Sequence, residues 1–132
     1  MSGETNLTKL IKEMQPELNT GEYVFSLKES RDNAMLTEAL CLFQEKEGIT
    51  MILSKQRADE AGLAYSATFA WITLTVHSSL EAVGLTAMVS KALAKANISC
   101  NLVAAYYHDH LFVPFKDAEQ AMNVLQNLTR LT

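Results

Sequence analysis

The sequence contains little proline, glycine or cysteine: of its 132 residues, two are proline, five are glycine and two are cysteine. Hydrophobic residues make up 48% of the chain and charged residues 20%, a composition that is typical of a globular protein and excludes a largely disordered one. Cys41 and Cys100 both lie in apolar, strand-like runs, as buried thiols do in proteins of a reducing compartment. We therefore expect a cytoplasmic protein.

Long apolar runs and basic clusters are also missing. No apolar segment approaches the roughly 18 residues that a membrane-spanning helix needs, and the polar start MSGETN lacks the features of a signal peptide. The net charge is −4 and the lysines and arginines are scattered, whereas a protein that binds nucleic acid normally carries a basic stripe. We expect neither a membrane nor a nucleic acid as a partner.

The first half of the sequence predicts the order α-β-β-β-α. An apolar pattern of helical spacing runs from Leu7 to Met14 and is stopped by Pro16. A strand follows in YVFSLKES, and two further apolar runs on either side of the charged segment EKEG predict a hairpin. QRADEAGL predicts a short helix. The small, polar stretch AYSATF then marks a boundary between a first unit, residues 1–66, and a second, residues 67–132.

The second half predicts the order β-α-β-β-α. WITLTVH alternates strictly between apolar and polar residues, residues 78–97 have helical periodicity, and the strand-like runs ISCNLVAAYY and HLFVPF precede a last helix that begins at Asp117. This order is that of a ferredoxin-like α+β sandwich, an antiparallel sheet with helices on one face. The first half has features of a degraded copy of the same unit, although its sequence is too dissimilar to establish a duplication.

The segment AAYYHDHLFVPF, residues 104–115, predicts a hairpin with His108 and Asp109 at its tip. In that register Tyr107 faces His110, and the core side carries Cys100, Leu102, Ala104, Tyr106, Leu111, Val113 and Phe115. The opposite side carries Asn101, Val103, Ala105, Tyr107, His110 and Phe112, together with Trp71 of the preceding strand. Because that second side is apolar and aromatic, we expect the first half or a second subunit to cover it. A homodimer or higher homo-oligomer is therefore predicted.

The polar residues YYHDH permit a metal site, an acid–base site or a plain turn. A metal site needs three or four convergent ligands, and the sequence has no HExxH or CxxC motif to supply them. Acid–base catalysis would pair His110 or His77 with Asp109 or Glu81, but a nucleophile elbow, a glycine-rich phosphate loop and paired carboxylates are all missing. A solvated turn with a satisfied interface histidine is the simplest interpretation. We expect no metal, no cofactor and no enzymatic activity.

The segment HSSLEAVG also permits two interpretations. Ser78 and Glu81 have the spacing of a helix-capping box, which needs no function. The same helix start offers free backbone N–H groups that suit a carboxylate. Gly84 costs about 1 kcal/mol relative to alanine inside a helix, so we expect a close approach or a packing reason for it.

Residues 71–115, from WITLTVHSSLEAVGL to AAYYHDHLFVPF, closely resemble the second half of small bacterial proteins built from two ACT-like units. The chain is also similar to the ACT domains of aspartate kinases and of cytosolic arginine sensors, and the resemblance spans about residues 45–130. The resemblance implies two ferredoxin-like units in tandem and a non-catalytic regulatory module whose small-molecule ligand is an amino acid. The alternative is a structural or interaction protein with no ligand, whose pocket is filled by its own side chains.

The resemblance also implies the ligand-binding residues. One wall is the loop into the first helix of the unit, and the other is the second strand and the following turn of the paired unit. Glu81, and Asp109 in the setting DHLFVP, match acidic ligand contacts of the arginine-sensor type. The loop departs from the usual pattern, because Val83 stands where proline usually precedes the glycine. The full predicted set is Ser78, Ser79, Leu80, Glu81, Ala82, Val83, Gly84, Asn101, Tyr107, His108 and Asp109.

Overall fold

The computed structural model of the chain describes residues 6–75 and 83–131. No helix in this part of the chain is long and apolar enough to cross a membrane. Single 3₁₀ turns occur at Leu36–Glu38 and Phe115–Asp117. The helices and strands of the described residues, numbered in chain order, are α1 (Leu7–Glu13), β1 (Gln15–Leu18), β2 (Tyr23–Lys28), β3 (Cys41–Gln44), β4 (Ile49–Ser54), α2 (Lys55–Glu60), β5 (Phe69–Thr75), α3 (Leu85–Lys95), β6 (Asn101–Ala104), β7 (Asp109–Pro114) and α4 (Ala118–Leu131).

The chain folds into two compact units. The terminal unit contains the described residues up to Thr20 and from Ala70 onward, and the central unit is Gly21–Phe69. The junction at residues 69 and 70 lies close to the boundary that the sequence predicts after residue 66. The segment before Gly21, however, belongs to the same compact unit as the second half. The division of the chain into an ACT-like unit of residues 1–66 and a second of residues 67–132 stays a prediction.

In the terminal unit, four strands lie in the order β1-β5-β7-β6, and the predicted order β-α-β-β-α of the second half is confirmed. Strand β1 was not predicted; it pairs antiparallel with β5, with Pro16 opposite Leu74. Proline lacks an N–H group, which restricts it to edge strands and strand ends. Pro16 was therefore interpreted as the end of the first helix and not as part of a strand. The core of this unit is formed by Leu10, Ile11, Met14, Ala70, Ile72, Leu74, Leu85, Val89, Leu93, Ile98, Leu111, Val113, Ala121 and Leu125.

The hairpin of β6 and β7 turns two residues earlier than predicted. Ala104 faces Asp109, the N–H of Ala105 donates to the carbonyl oxygen of His108 at 3.0 Å, and Tyr106 and Tyr107 form the tip. The predicted tip at His108 and Asp109 is therefore wrong. Because a shift of two residues preserves the alternation of side chains, it moves none of them to the other face of the sheet.

The predicted assignment of side chains to the two faces is confirmed for most positions. Leu111 and Val113 are buried in the core, with Cys100 and Leu102 packed against it. On the opposite side Phe112 is 2% exposed, so that side is covered at this point. Ala104, Tyr106 and Phe115 were predicted in the core and are instead exposed. Ala104 is the last residue of β6, whereas Tyr106 in the turn and Phe115 after β7 lie just outside the ends of the strands.

In the central unit, three strands lie in the order β3-β4-β2. The hairpin predicted around EKEG is confirmed: Gln44 faces Ile49, and the N–H of Glu45 donates to the carbonyl oxygen of Gly48 at 2.8 Å. Helix α2 follows β4 directly, and the Ser54 hydroxyl caps it. The core of this unit is formed by Val24, Ile49, Met51, Leu53 and Ala58.

The two hairpins have the same geometry at an offset of sixty residues. In the central unit Gln44 faces Ile49, and in the terminal unit Ala104 faces Asp109, with four residues between the paired positions in each case. Each hairpin is closed by a hydrogen bond from the first to the fourth of those residues, and each is followed by a helix, α2 or α4. Identical register and loop length support the interpretation of the two halves as copies of one unit.

We expect Gly48→Ala to destabilise the central unit. Gly48 has φ +153°, and a Cβ atom there would lie 2.7 Å from the backbone oxygen of Lys28, which is rigid backbone of the adjacent strand. We expect a loss of about 2–4 kcal/mol in the free energy of unfolding, measured by urea denaturation. Gly62→Ala is the matched control, because Gly62 has φ +69° with open space around it; it should cost about 1 kcal/mol. Equal losses in the two variants would contradict the close approach at Gly48.

Candidate functional site

Asp109 is a buried carboxylate at the start of a core strand. It is the first residue of β7 and is 7% exposed. Side chains alternate along a strand, so Asp109 shares its face with Leu111 and Val113, both of which are fully buried in the core of the terminal unit. Ionisable side chains are rarely buried unless they are paired. Among the described residues, none donates a hydrogen bond to this carboxylate.

The corresponding position of the other hairpin holds an apolar residue. Ile49 is the first residue of β4 and is 3% exposed, and it belongs to the core of the central unit together with Met51 and Leu53. The same position in the same hairpin geometry is therefore suited to a hydrophobic side chain. Asp109 replaces that side chain with a group whose burial costs stability.

Burial sets the electrostatics of Asp109. Loss of hydration raises the pKa of its carboxyl group above the ordinary value of 3.8, and electrostatic interactions with His110 and His108 lower it in part. The two histidines therefore offset only part of the effect of burial on this pKa. A cationic partner stabilises a buried carboxylate more than it stabilises a solvated carboxylate, because water screens the attraction between the two charges less.

The turn next to Asp109 exposes two aromatic rings. Tyr106 is 60% exposed and Tyr107 is 58% exposed, and their rings meet edge to face with centroids 5.0 Å apart. His108 follows, with its ring centroid 6.4 Å from that of Tyr107. The Nδ1 atom of His108 is buried and has no hydrogen-bond partner among the described residues. The turn before Asp109 thus exposes two aromatic rings and contains one buried polar atom without a partner among the described residues.

A hydrogen-bond network lies on the opposite face of the same sheet. The indole N–H of Trp71 donates to Nδ1 of His110 at 3.0 Å, and the hydroxyl oxygen of Thr73 lies 3.1 Å from the same atom. Asn19 is the first residue after β1. Its side-chain N–H groups donate to the Thr73 hydroxyl oxygen at 3.0 Å and to the Trp71 carbonyl oxygen at 3.2 Å. The network therefore joins β1, β5 and β7.

Trp71 fixes the protonation of His110. An indole N–H is only a donor, so Nδ1 of His110 must accept and the ring proton must lie on Nε2. The ring is then neutral, in agreement with the direction of its pKa, which burial and the neighbouring His108 lower below 6.5 while Asp109 opposes them. The predicted placement of Trp71 and His110 on one face is confirmed. Asn19 was missed, because its role depends on the unpredicted strand β1.

The structure brings some of the predicted site residues together and separates others. Tyr107 and His108 lie in the turn next to Asp109. Asn101 lies three residue pairs away at the far end of β6, about 10 Å along the strand, and its side-chain amide donates to the carbonyl oxygen of Phe112 at 3.4 Å. The predicted residues Ser78, Ser79, Leu80, Glu81 and Ala82, and the capping box that includes two of them, lie outside the described residues.

Gly84 ends the predicted loop and directly precedes helix α3. It has φ +101°, and a Cβ atom there would lie 3.0 Å from the Leu7 side chain of helix α1. The expected close approach is therefore confirmed, although Gly84 is the residue before the helix and not part of it. Val83, directly before it, is 84% exposed. The loop thus enters α3 through a backbone conformation that favours glycine.

Metal ligands and cavities do not point to a second site. Within residues 6–75 and 83–131, no three side chains of histidine, cysteine, aspartate or glutamate are grouped closely enough to hold a metal ion. A surface groove of about 410 Å³ lies elsewhere in the terminal unit and contains none of the predicted site residues. It is lined by Met14, Gln15, Pro16, Gln126, Thr129 and Arg130.

We expect His110 to titrate below pH 6.5 and Trp71→Phe to raise its pKa, because the variant removes a donor that stabilises the neutral ring. The pKa is measured from the ring proton shifts in NMR spectra. A histidine whose folded pKa is lowered makes the protein lose stability as the pH falls below 6.5, so urea denaturation at falling pH provides a second readout. Tyr106→Phe, an exposed ring in the turn, is the control and should leave the His110 pKa unchanged. Titration of His110 at or above 6.5 would contradict the network.

Two family models match the chain, and both describe ACT domains. The first matches residues 2–70 and the second, a different model, matches residues 66–127. The two matches meet at residues 66–70, next to the predicted boundary. No curated protein matches the chain.

Solved structures share the fold over nearly the whole chain. A Vibrio cholerae protein of unknown function, described as a possible transport protein, is 44% identical with a TM-score of 0.85, over 93% of this chain and 95% of its own. The regulatory subunit of aspartate kinase from Thermus thermophilus is 10% identical with a TM-score of 0.64, over 89% of this chain and 97% of its own. Escherichia coli aspartokinase III, solved in complex with aspartate and ADP, is 15% identical with a TM-score of 0.60, over 86% of this chain and 32% of its own.

The two aspartate kinase structures show likeness of fold alone, at identities this low. The match of an ACT-domain model to about half of the chain, together with a second match to most of the rest, establishes the family. The family indicates a regulatory, ligand-binding module. The α+β chain, with its two ferredoxin-like units in tandem, therefore belongs to the ACT-domain family.

Proposed function

We propose that the protein is a non-catalytic regulatory module that binds an amino acid through its cationic group at Asp109. The observation that carries the proposal is the buried carboxylate at the start of β7, at the position where the other hairpin has Ile49. A structural role does not account for it, because the same geometry packs well with an apolar residue. A ligand cation provides the missing counter-charge.

The energetics of the carboxylate favour a ligand of positive charge. A hydrogen bond between an ammonium group and a desolvated carboxylate contributes roughly 1.5–3 kcal/mol. Asp109 is largely buried, so part of the hydration of its carboxylate is lost before a ligand binds. Every α-amino acid carries an ammonium group, and lysine and arginine carry a second cation.

The aromatic turn and the loop before α3 complete the proposed site. The exposed ring of Tyr107 offers a face for the apolar part of a ligand or for its cation. The loop Ser78–Ala82 with Val83 and Gly84 is proposed as the wall that holds the ligand carboxylate, on the resemblance alone. Asn101 forms its own hydrogen bond at the far end of β6 and is the weakest member of the predicted set.

The comparisons support an amino acid as the class of ligand. One of the similar structures, an aspartokinase of which this chain covers 32%, was solved in complex with aspartate and ADP, and other similar structures are regulatory subunits of aspartate kinases. The two cysteines of the chain are unpaired, which supports the proposed cytoplasmic location. The proposal includes no cofactor and no chemical step.

We expect at least one of the twenty amino acids to raise the melting temperature of the protein, and Asp109→Asn to weaken its binding by about 10- to 150-fold. The amino acid is found by a thermal-shift screen and its affinity is measured by calorimetry. The variant itself should be as stable as the wild type, or more stable by about 1 kcal/mol near neutral pH, because it removes a buried charge.

Two further variants make this experiment specific. Asp109→Ile copies the residue of the other hairpin and should stabilise the unit while abolishing binding. Asp117→Asn removes a carboxylate that is closer to solvent, in the turn before α4, and should leave affinity unchanged. No shift with any amino acid at millimolar concentration would favour an interaction protein without a ligand. A loss of folding in Asp109→Asn would mean that the carboxylate is structural.

A further inference from the structure

A row of side chains crosses the sheet of the terminal unit on the face opposite Asp109. Glu17 of β1 lies opposite Thr73 of β5, and Val103 of β6 lies opposite His110 of β7. Strands β5 and β7 are neighbours in the sheet, and the contact of 3.1 Å between the Thr73 hydroxyl oxygen and Nδ1 of His110 joins the two pairs. Directly opposed residues of neighbouring strands have their side chains on the same face. His110 therefore lies inside one row that spans four strands.

The hydrogen bond from Trp71 to His110 exists only while the imidazole is neutral. The indole N–H of Trp71 donates to Nδ1 of His110 at 3.0 Å, and an indole can only donate. A protonated imidazole has an N–H group at both nitrogens, so Nδ1 can then no longer accept. The hydroxyl of Thr73 behaves differently, because it can turn and accept from the new N–H group. Protonation therefore breaks the bond to Trp71 and spares the contact with Thr73.

The bonds between Asn19 and β5 do not depend on the imidazole proton. The backbone N–H of Asn19 donates to the carbonyl oxygen of Trp71 at 2.9 Å. The side-chain N–H groups of Asn19 donate to that same oxygen and to the Thr73 hydroxyl oxygen. Protonation of His110 therefore acts on the junction of β5 and β7, and β7 is the strand that begins with Asp109.

We infer that His110 is a proton-sensitive switch for ligand binding at Asp109: the neutral imidazole permits binding and the protonated imidazole weakens it. The inference rests on the proposed function, because it assigns a form of regulation to the same site. His110 touches no ligand in that site and is a positioning residue. Loss of the bond to Trp71 loosens the start of β7, which positions the carboxylate. The imidazolium also places a positive charge next to Asp109, and this charge repels a cationic ligand.

The ionisable groups around His110 make the coupling reciprocal. Strands β5 and β6, with the sequences FAWITLT and NLVA, contain no ionisable side chain, and Glu17 of β1 is exposed and lies beyond Thr73 in the row. The nearer groups precede His110 in the chain: interaction with His108 lowers the pKa of His110, and interaction with Asp109 raises it. A ligand cation offsets the charge of Asp109, so binding disfavours protonation of His110. By linkage, protonation disfavours binding by the same factor.

Tryptophan fluorescence tests the switch in the protein without a ligand. Trp71 is the only tryptophan of the chain, so a change in its emission reports the loss of the bond to His110. We expect a step in emission as the pH falls from about 7.5 to about 4.5, with an unchanged circular dichroism spectrum. The midpoint of this step should equal the midpoint of the His110 titration in NMR spectra.

Two variants make the fluorescence test specific. His110→Asn keeps an acceptor near the position of Nδ1 and does not titrate, so it should abolish the step. Glu17→Gln removes the carboxylate of the same row and is the control, which should keep the step. A step that persists in His110→Asn, or no step down to about pH 4.5, would overturn the switch.

Calorimetry at falling pH tests the coupling to the ligand site. L-lysine is the first probe, because its two cationic groups stay charged as the pH falls. The amino acids that raise the melting temperature follow, except histidine, which titrates itself. We expect the affinity to be at least about five-fold lower when His110 is protonated, and the bound amino acid to lower the pKa of His110 by about 0.7, the logarithm of that factor. Trp71→Phe should move the fall in affinity to higher pH.

His110→Asn separates this coupling from protonation of Asp109, which also weakens binding at low pH. The variant should bind the same amino acid at neutral pH as the wild type does, and it should lack the fall in affinity at the midpoint of the fluorescence step. Equal affinity for the two protonation states of His110 in the wild type would overturn the inference alone. No binding of any of the twenty amino acids at neutral pH would overturn the proposed function, and the regulation inferred for it as well.

Discussion

A buried carboxylate at the first position of β7 is the constraint on which the candidate site depends. Asp109 lies on the helix-covered face of the sheet because the hairpin turns at Tyr106 and Tyr107. A slip of one residue would place it on the other face, among Trp71, Thr73 and His110. The hydrogen bonds of His110 to Trp71 and Thr73 hold β7 against β5 and so help to prevent that slip. The network therefore positions a residue that it does not touch.

The two units share a hairpin and differ in what the hairpin carries. In the central unit the first residue of the second strand is Ile49, and the connection between β2 and β3 contains a 3₁₀ turn at Leu36–Glu38. In the terminal unit the same position is Asp109, and α3 lies between β5 and β6. The duplicated geometry thus keeps a packed hydrophobic core in one copy and places a costly charge in the other. The candidate site at Asp109 therefore has no acidic counterpart at the equivalent position of the central unit.

Sequence reasoning predicted what depends on local periodicity. The alternation in WITLTVH, the helical spacing in α3 and the EKEG turn all led to elements that the structure has. The faces of β6 and β7 were predicted even though the tip was misplaced, because an error of two residues preserves a period of two. The tip itself was misplaced because HD is a typical turn sequence, whereas the actual turn holds two tyrosines whose rings pack on each other. Strand β1 and the role of Asn19 depend on pairing with β5 more than fifty residues away, for which the local sequence contains no signal.

The most direct test of the account is an NMR titration of the Asp109 carboxyl carbon, in the free protein and with the amino acid that raises its melting temperature. Burial without a partner predicts a pKa above 3.8 in the free protein. A bound cation stabilises the ionised form, so the account predicts that the ligand lowers this pKa. A pKa at or below 3.8 in the free protein, or one that the ligand leaves unchanged, would contradict the central role of Asp109.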